Sequence, residues 1–335
     1  MKVLHLSFHK GCINDFNYVC KQLNIECHIL SSFAELNTNK DIDAIDEPNA
    51  QHYNMTSERA SKYWNKYKNY FDEFDCILTS DTAPLSRIFL QNGWNKKLLI
   101  WICNRFDYSH RPVIGGIFPD KSYVSLLQEA TNNPTVHIVG YTAFENYYAK
   151  LRGINTKNIV IKPTGCISEI YQNNSQNKPD LNNTLFVPPY HNDTRLMNLQ
   201  NKLTQLGFES YSGKYNGPCD LCNYKAVVHI PYAWSNLAFF EMFQLGIVYF
   251  IPSLSFLKEL MNRNFFWSPP LVVDKLDISE WYDPEHKDVL IYFNSWDDLK
   301  EKIHGLDFDD HKNKLTTFGA AHSSDMLSRW MRLFT

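Results

Sequence analysis

The chain has 335 residues and a formal net charge of -3, and 44% of its residues are hydrophobic and 15% aromatic. This composition is typical of a globular protein and excludes a disordered tail, while the nearly neutral charge disfavours nucleic acid as a partner. The length predicts two domains of roughly 150 residues, each large enough to bury a hydrophobic core.

In the first half of the chain, short apolar runs alternate with longer amphipathic ones. The apolar runs predict strands at 3–8, 27–30, 76–79, 97–103 and 136–139, and the amphipathic runs predict helices at 14–23, 84–91 and 143–151. Alternation of this kind is typical of a doubly wound parallel sheet.

The run 60–74 carries aromatic residues at near-helical spacing, with lysines and acids between them: Tyr63, Trp64, Tyr67, Tyr70 and Phe71. A helix that packs one aromatic face into a core would produce this pattern. A surface that docks on a membrane or an acceptor would produce it as well, and the sequence does not separate the two interpretations.

The second half repeats the alternation, with strands predicted at 184–187, 226–230, 247–251 and 289–293 and an amphipathic helix at 318–335. Residues 173–183 are rich in Asn, Gln, Ser, Lys and Pro, which indicates a solvated linker. We therefore predict a first domain over 1–170, a linker over 171–183 and a second domain over 184–317. Two such sheets facing each other would place their strand carboxyl ends across a ligand-binding cleft.

The sequence offers no signal peptide and no run of about 18 apolar residues, so we expect a cytoplasmic protein without a transmembrane segment. Its eight cysteines lie in mostly apolar surroundings and are expected to be reduced and mostly buried. Cys219 and Cys222 have the spacing of half a zinc site, but no matching second pair lies near them.

The most informative segment runs from His229 to Pro252, where a buried strand, a short polar turn, a helix and a second strand follow one another directly. Ser235 and Asn236 are good helix N-cap residues, and the backbone N–H groups after them suit an anionic group such as phosphate. Glu241 lies about one and a half turns further on. It is too far from the cap to complete a capping box and is isolated in an apolar run, so we predict a hydroxyl-bearing ligand as its partner.

This segment resembles the donor-binding signature of GT-B glycosyltransferases, specifically the retaining, nucleotide-sugar-using glycosyltransferase family four. A second stretch, Asn158 to Ile167, resembles the strand and Pro-x-Gly turn with which that family leaves its N-terminal domain. The resemblance implies an α/β protein of the GT-B fold, in which two Rossmann-like doubly wound domains face each other across a cleft. It also implies that the C-terminal helix crosses back to the first domain.

The Asn-rich, Gly-poor character of the chain is also similar to that of glycosyltransferases encoded by large algal DNA viruses, the chloroviruses. A virus-encoded chain would work in the host cytoplasm.

The resemblance implies that Glu241 hydrogen-bonds the ribose hydroxyls of the donor nucleotide. The other residues of this segment that we expect at the donor are Tyr232, Ser235, Asn236 and Leu237. The first carboxylate of the family motif falls at Ala233, and which residue replaces it is open.

Two segments of the first domain are expected to line the cleft. Gly11 lies in 9–12, where the family has a loop whose backbone approaches the donor diphosphate and the acceptor. Asn104, Arg105 and Asp107 follow an apolar strand and would contact the acceptor sugar or the donor phosphate. We predict Arg105 and Asp107 as catalytic residues, and a surface ion pair is the alternative.

In the second domain, 186–195 occupies the place of the family's diphosphate-neutralising loop, but the cationic residues are not matched in kind. We expect Tyr190 and His191 at the donor. We predict Arg195 as the catalytic cation that stabilises the departing nucleoside diphosphate, with His191 or Lys202 as alternatives.

Together these features predict a retaining hexosyltransferase that moves a sugar from a nucleotide-sugar donor to a glycan or other hydroxyl acceptor. The family analogy favours GDP-mannose as donor and UDP-glucose next. A non-catalytic nucleotide-sugar or glycan-binding protein and a sugar-nucleotide epimerase of the same fold are the alternatives.

No tightly bound cofactor and no divalent metal are expected. The Asp-x-Asp pairs at Asp41 and Asp307 do not follow an apolar strand that would direct both carboxylates into a cleft. The sequence leaves open the acceptor, the linkage and whether the chain forms a homodimer.

Overall fold

A computed structural model of the chain describes residues 1–31, 55–81, 83–103, 120–167, 181–189, 198–231, 233–262 and 273–335. The chain divides into two compact units. The first comprises Met1–Pro163 together with Met326–Thr335, and the second comprises Thr164–Asp325. Each unit contains one five-stranded sheet in which every described strand pairing is parallel.

The first unit alternates strands and helices, as its sequence predicts. Its strands are β1 (Lys2–Leu6), β2 (Glu26–Leu30), β3 (Cys76–Thr79), β4 (Lys97–Ile102) and β5 (Val136–Gly140). Its helices are α1 (Lys10–Leu23), α2 (Ser57–Phe71), α3 (Arg87–Leu90), α4 (Lys121–Ala130) and α5 (Ala143–Leu151), with a 3-10 helix at Ala83–Ser86.

The second unit repeats the scheme. Its strands are β6 (Leu181–Val187), β7 (Ser210–Ser212), β8 (Tyr224–Val228), β9 (Tyr249–Pro252) and β10 (Ile291–Phe293). Its helices are α6 (Leu199–Gln205), α7 (Leu237–Leu245), α8 (Leu254–Asn262), α9 (Trp296–Gly305) and α10 (Phe308–Phe334), whose last residues belong to the first unit. The 3-10 helices are Pro218–Asn223, Val273–Ile278, Glu280–Tyr282 and Pro284–His286.

Both sheets have the same strand order. The first runs β2-β1-β3-β4-β5 and the second runs β7-β6-β8-β9-β10, so each follows the order 2-1-3-4-5 within its own unit. In this order the crossovers reverse direction between the first and third strands, and open α/β sheets bind ligands at the carboxyl ends of the strands beside that point. The expected ligand edges are therefore those after β1 and β3 and those after β6 and β8.

The aromatic run of α2 contributes to the core of the first unit. Tyr63 and Tyr67 are each 6% exposed and Phe71 is fully buried, with its ring 5.0 Å from that of Phe89. A helix that packs one aromatic face inward accounts for these positions, so the docking-surface interpretation is wrong for these three side chains.

The main differences from the prediction are three element starts and one strand. Helix α1 begins at Lys10 instead of residue 14, because the His9 side chain caps it by accepting a hydrogen bond from the Cys12 N–H. Strand β7 was not predicted, and β6 begins at Leu181, inside the range predicted as linker. Helix α10 begins at Phe308, ten residues before the predicted helix at 318–335.

Two glycines allow other backbone segments to approach α7 closely. Gly165 adopts φ +76°, and a Cβ there would lie 2.4 Å from the Phe240 carbonyl oxygen. Gly319 of α10 lies against the backbone of Phe243 and Gln244, and the Gln244 side chain donates a hydrogen bond of 2.7 Å to the Gly319 carbonyl. The position of α7 is therefore constrained by two close backbone contacts, at Gly165 and at Gly319.

No helix in the described parts of the chain is long and apolar enough to cross a membrane.

Candidate functional site

The connection from β8 to α7 forms the turn that the sequence predicted. Asn236 is the N-cap of α7, with extended backbone angles and a side chain that accepts a hydrogen bond of 3.0 Å from the Ala238 N–H. The Phe239 N–H donates to the Asn236 carbonyl at 3.0 Å. Within the described residues, the N–H groups of Ser235 and Leu237 have no hydrogen-bond acceptor. These two amides are therefore available as hydrogen-bond donors.

Glu241 lies one helical turn after Leu237, and its side chain is half-buried. Residues four apart share one helix face, with about 5–6 Å between their Cβ atoms. An anion at the first turn of α7 and a hydroxyl-bearing ring beside Glu241 could therefore belong to one ligand, as the phosphate and ribose of a nucleotide do.

The turn before α7 is held by the 3-10 helix Glu280–Tyr282. The Trp281 indole N–H donates a hydrogen bond of 2.8 Å to the Ala233 carbonyl, and the Glu280 backbone N–H donates one of 2.8 Å to the Trp234 carbonyl. Trp281 is 1% exposed and stacks on His229, with 4.4 Å between the ring centroids. The turn is thus fixed to the buried interior of the second unit.

A buried acid–histidine pair supports this 3-10 helix. The Glu280 carboxylate lies 2.5 Å from Nε2 of His286, and the two side chains are 1% and 0% exposed. The rings of Phe239, Phe243 and Phe318 surround His286. Because removal of one partner would leave a buried polar group without its contact, this pair is sensitive to substitution.

In the first unit, four titratable residues gather after the central strands. His9 follows β1, Asp81 follows β3, Cys103 follows β4, and Cys12 lies in the first turn of α1. Asp81 has a φ of +62°, which is uncommon for a residue other than glycine. The cluster lies at the carboxyl ends of adjacent parallel strands, where the strand order places a ligand.

The members of this cluster perturb one another. A hydrogen bond with the Cys103 thiol, opposed by burial and assisted by His9, lowers the pKa of Cys12 to about 7. Burial raises the pKa of the Asp81 carboxyl, and the interaction with His9 opposes that shift. His9 is exposed, and an exposed imidazole that interacts with a carboxylate can accept a proton from a hydroxyl group.

The structure places five of the predicted site residues. Gly11 lies in the first turn of α1 and not in a preceding loop, because α1 starts at Lys10. Ser235, Asn236, Leu237 and Glu241 come together at the start of α7. The predicted site residues that lie outside the described part of the chain are Asn104, Arg105, Asp107, Tyr190, His191, Arg195 and Tyr232.

The structure also describes the alternative cation Lys202 and the cysteine pair Cys219 and Cys222, which has the spacing of half a zinc site. The Lys202 ammonium lies over the Trp296 ring, 5.6 Å from its centroid. Cys219 is buried and Cys222 exposed in the 3-10 helix Pro218–Asn223, and both are free thiols. In the described ranges, no group of three or more His, Cys, Asp or Glu residues could hold a metal ion.

The sequence prediction missed Asp81, Glu280, Trp281 and His286. Asp81 could have been found, because a Ser-Asp pair directly after a buried strand is a signal of the same kind as that used for Asn104 to Asp107. The contacts of Trp281 have no such signal, since its acceptor Ala233 lies 48 residues earlier in the chain.

Solved structures resemble this chain over nearly its whole length. UGT89C1 of Arabidopsis thaliana, in complex with UDP-L-rhamnose, is 9% identical over 98% of this chain and 97% of its own, with a TM-score of 0.53. HepE of Anabaena, in complex with UDP, is 10% identical over 98% and 95%, with a TM-score of 0.49. A UDP-glucose:anthocyanidin 3-O-glucosyltransferase, in complex with UDP, is 9% identical over 99% and 98%, with a TM-score of 0.48.

The sequence matches no protein-family model and no curated protein. The likeness to solved structures, at about a tenth of residues identical, concerns the fold alone. Together with the two parallel α/β sheets of equal strand order, the likeness to UGT89C1 shows the two-domain, Rossmann-like GT-B fold. This confirms the fold class that the sequence predicted.

Proposed function

We propose that the chain is a glycosyltransferase that moves a hexose from a nucleoside-diphosphate sugar to a hydroxyl group of a glycan or another acceptor. The observation that carries this proposal is the β8–α7 connection of the second unit, where the Ser235 and Leu237 amides lie at the start of α7 and Glu241 lies one helical turn after Leu237. The GT-B fold and the uridine nucleotides bound by the structural neighbours support the same donor class.

The proposed roles follow from the chemistry of the donor. The amides at the start of α7 and the positive end of its dipole hold the diphosphate. The Glu241 carboxylate accepts hydrogen bonds from the ribose hydroxyls. Arg195 stabilises the leaving phosphate in place of the family's cations, which are not matched in kind here, and Arg105 and Asp107, which follow an apolar strand, act on the acceptor sugar or the donor phosphate. Gly11, Tyr190, His191 and Tyr232 complete the donor surroundings by resemblance to the family.

The identity of the donor is the finer part of the proposal. The resemblance to family four favours GDP-mannose. The solved structures named above hold UDP or UDP-L-rhamnose. They support a uridine diphosphate sugar such as UDP-glucose as the competing donor. A site that reads the base discriminates strongly, because the wrong base leaves buried polar groups unpaired at about 1–3 kcal/mol each.

Retention of the anomeric configuration is the stereochemical outcome that the resemblance implies. Inverting transfer is the second candidate, because the exposed His9 imidazole, which interacts electrostatically with the Asp81 carboxyl, offers a base for the acceptor hydroxyl. The anomeric configuration of the product, measured by NMR directly after transfer, separates the two. An inverted product together with loss of activity in His9→Gln would support His9 as the base, and retention with full activity in that variant would rule out His9 as the base.

The function itself is tested by product analysis with radiolabelled GDP-mannose and UDP-glucose, with and without a panel of glycan acceptors. A transferase releases nucleoside diphosphate and labels the acceptor, or slowly hydrolyses the donor. An epimerase returns an isomerised donor, and a binding protein leaves the donor unchanged. Either of the last two outcomes contradicts the proposal.

We also propose that transfer needs no divalent metal, because the α7 N-terminus offers another way to hold the diphosphate. Activity should then persist in excess EDTA. Complete loss of activity in EDTA that manganese restores would contradict this part of the proposal and leave the transferase assignment intact.

A further inference from the structure

Two consecutive carbonyls in the turn before α7 are held by the same 3-10 helix. The Ala233 carbonyl accepts from the Trp281 indole and the Trp234 carbonyl accepts from the Glu280 backbone N–H, each at 2.8 Å. In a planar trans peptide the N–H of the next residue points opposite to the carbonyl. The Trp234 and Ser235 N–H groups are therefore directed away from Glu280 and Trp281.

This arrangement controls where the turn can donate hydrogen bonds. The Ser235 N–H has no acceptor within the described residues, and neither has the Leu237 N–H two residues later. Backbone N–H groups without an acceptor at the start of a helix are available to an anion. The Glu280 bond thus sets the direction of the Ser235 amide proposed to bind the diphosphate, and the Trp281 bond fixes the peptide unit directly before it.

The indole itself is held in place on several sides. Its ring packs against His229 at 4.4 Å and Phe239 at 4.8 Å between centroids, and the Trp281 carbonyl accepts a hydrogen bond of 2.8 Å from the Tyr292 hydroxyl. The Glu280–His286 pair fixes the start of the same 3-10 helix. A donor held on these sides restrains the position of the Ala233 carbonyl that accepts from it.

We propose that Trp281 is a positioning residue of the donor site, which holds the 233–236 turn so that its amides face the diphosphate. The inference rests on the proposed function. It also gives a role to Ala233, which stands at the position of the family's first carboxylate. Its backbone carbonyl accepts the Trp281 hydrogen bond that holds the turn, and its methyl side chain does not reach the donor.

The test is Trp281→Phe, which keeps an aromatic ring and removes the indole N–H. The matched control is Trp101→Phe in the first unit, where a fully buried indole likewise donates to a backbone carbonyl, that of Ile161, at 2.7 Å. Affinities for GDP, UDP, guanosine and uridine are measured by calorimetry and ligand-observed NMR for both variants and the unmodified chain.

We expect Trp281→Phe to weaken binding of the preferred nucleoside diphosphate by about three- to tenfold. This is the scale of one net hydrogen bond, whose loss lowers the fraction of molecules in which the turn has its binding conformation. Affinity for the nucleoside alone should not change, since the turn faces the phosphates. Trp101→Phe should change neither affinity. This selective loss distinguishes positioning of the turn from a general loss of structure.

Three results would overturn the inference: unchanged diphosphate affinity in Trp281→Phe, an equal loss of nucleoside and diphosphate affinity, or the same loss in Trp101→Phe. If Trp281→Phe does not fold, Ala233→Gly loosens the same turn and should cause a loss of about two- to fivefold confined to the diphosphate. Unchanged binding in that variant would equally overturn it. If the unmodified chain binds neither GDP nor UDP, the proposed function fails together with the inference.

Discussion

Substitution of Gly165 by alanine should destabilise the second unit strongly, because the substitution would combine backbone strain with a steric clash. The residue adopts φ +76°, and a Cβ would lie 2.4 Å from the carbonyl oxygen and 2.8 Å from the carbonyl carbon of Phe240. Those atoms belong to the backbone of α7, so they cannot move aside as the end of a flexible side chain could.

The magnitude follows from the two costs. A left-handed backbone conformation costs an L-residue about 1–2 kcal/mol, and forcing an extra methyl group against a packed backbone typically costs about 1–3 kcal/mol. We therefore expect Gly165→Ala to lower the free energy of unfolding by about 2–5 kcal/mol. Gly207→Ala is the matched control in the same unit, since Gly207 has φ +89° and no atom within 4 Å of its Cβ position.

Urea denaturation, with hydrogen exchange of peptides covering α7, measures both effects. Gly207→Ala should lose only the backbone term, about 1–2 kcal/mol, and its α7 amides should remain protected. Gly165→Ala should lose more and expose the α7 amides to exchange. Equal losses in the two variants, with α7 equally protected, would refute the close approach of Gly165 to α7.

The remaining stability predictions concern a helix contact and a buried histidine. Gly319→Ala would normally gain about 1 kcal/mol of helix propensity, but its Cβ would lie 2.9 Å from the Phe243 backbone. We expect a net loss of up to about 2 kcal/mol by thermal denaturation. Gly305→Ala, with nothing within 4 Å, should lose nothing, and a gain in both variants would contradict the contact. Burial lowers the pKa of the His5 imidazole from 6.5 to about 3. Between these two pH values the unfolded chain therefore binds a proton at His5 and the folded chain does not. The free energy of unfolding should fall as the pH decreases from 6.5 toward 3, by up to about 1.4 kcal/mol per pH unit for this group. In urea titrations at several pH values, His5→Gln should reduce that slope. An unchanged slope would show that His5 does not contribute.

The strands were predictable from the sequence because each sheet is parallel and its central strands are buried on both faces. Such strands are nearly continuous apolar runs, and β3 was predicted with its observed ends. Strand β7 was missed, because Ser210, Tyr211 and Ser212 lie at a sheet edge and form no apolar run. The start of α1 was missed because its cap is a histidine, which is not among the usual N-cap residues.

The candidate site was predictable only where its residues are close in the sequence. The Asn236 cap is a local feature, and the structure confirms it with the hydrogen bond from Ala238. The support of the same turn by Trp281 is a tertiary contact that no periodicity or spacing encodes. The gathering of His9, Asp81 and Cys103 likewise depends on the strand order, which brings together the ends of strands that are far apart in the chain.

Calorimetric titration of nucleotides into the unmodified chain and into Glu241→Ala tests the central claim most directly. Glu301→Ala, at an exposed position of α9, is the matched control. We predict that one of GDP and UDP binds, that Glu241→Ala weakens this binding by about 1.5–3 kcal/mol, the scale of a hydrogen bond to a charged group, and that Glu301→Ala leaves it unchanged. Absence of binding by both nucleotides, or equal affinity in the folded Glu241→Ala variant, would contradict a nucleotide-sugar site at the start of α7.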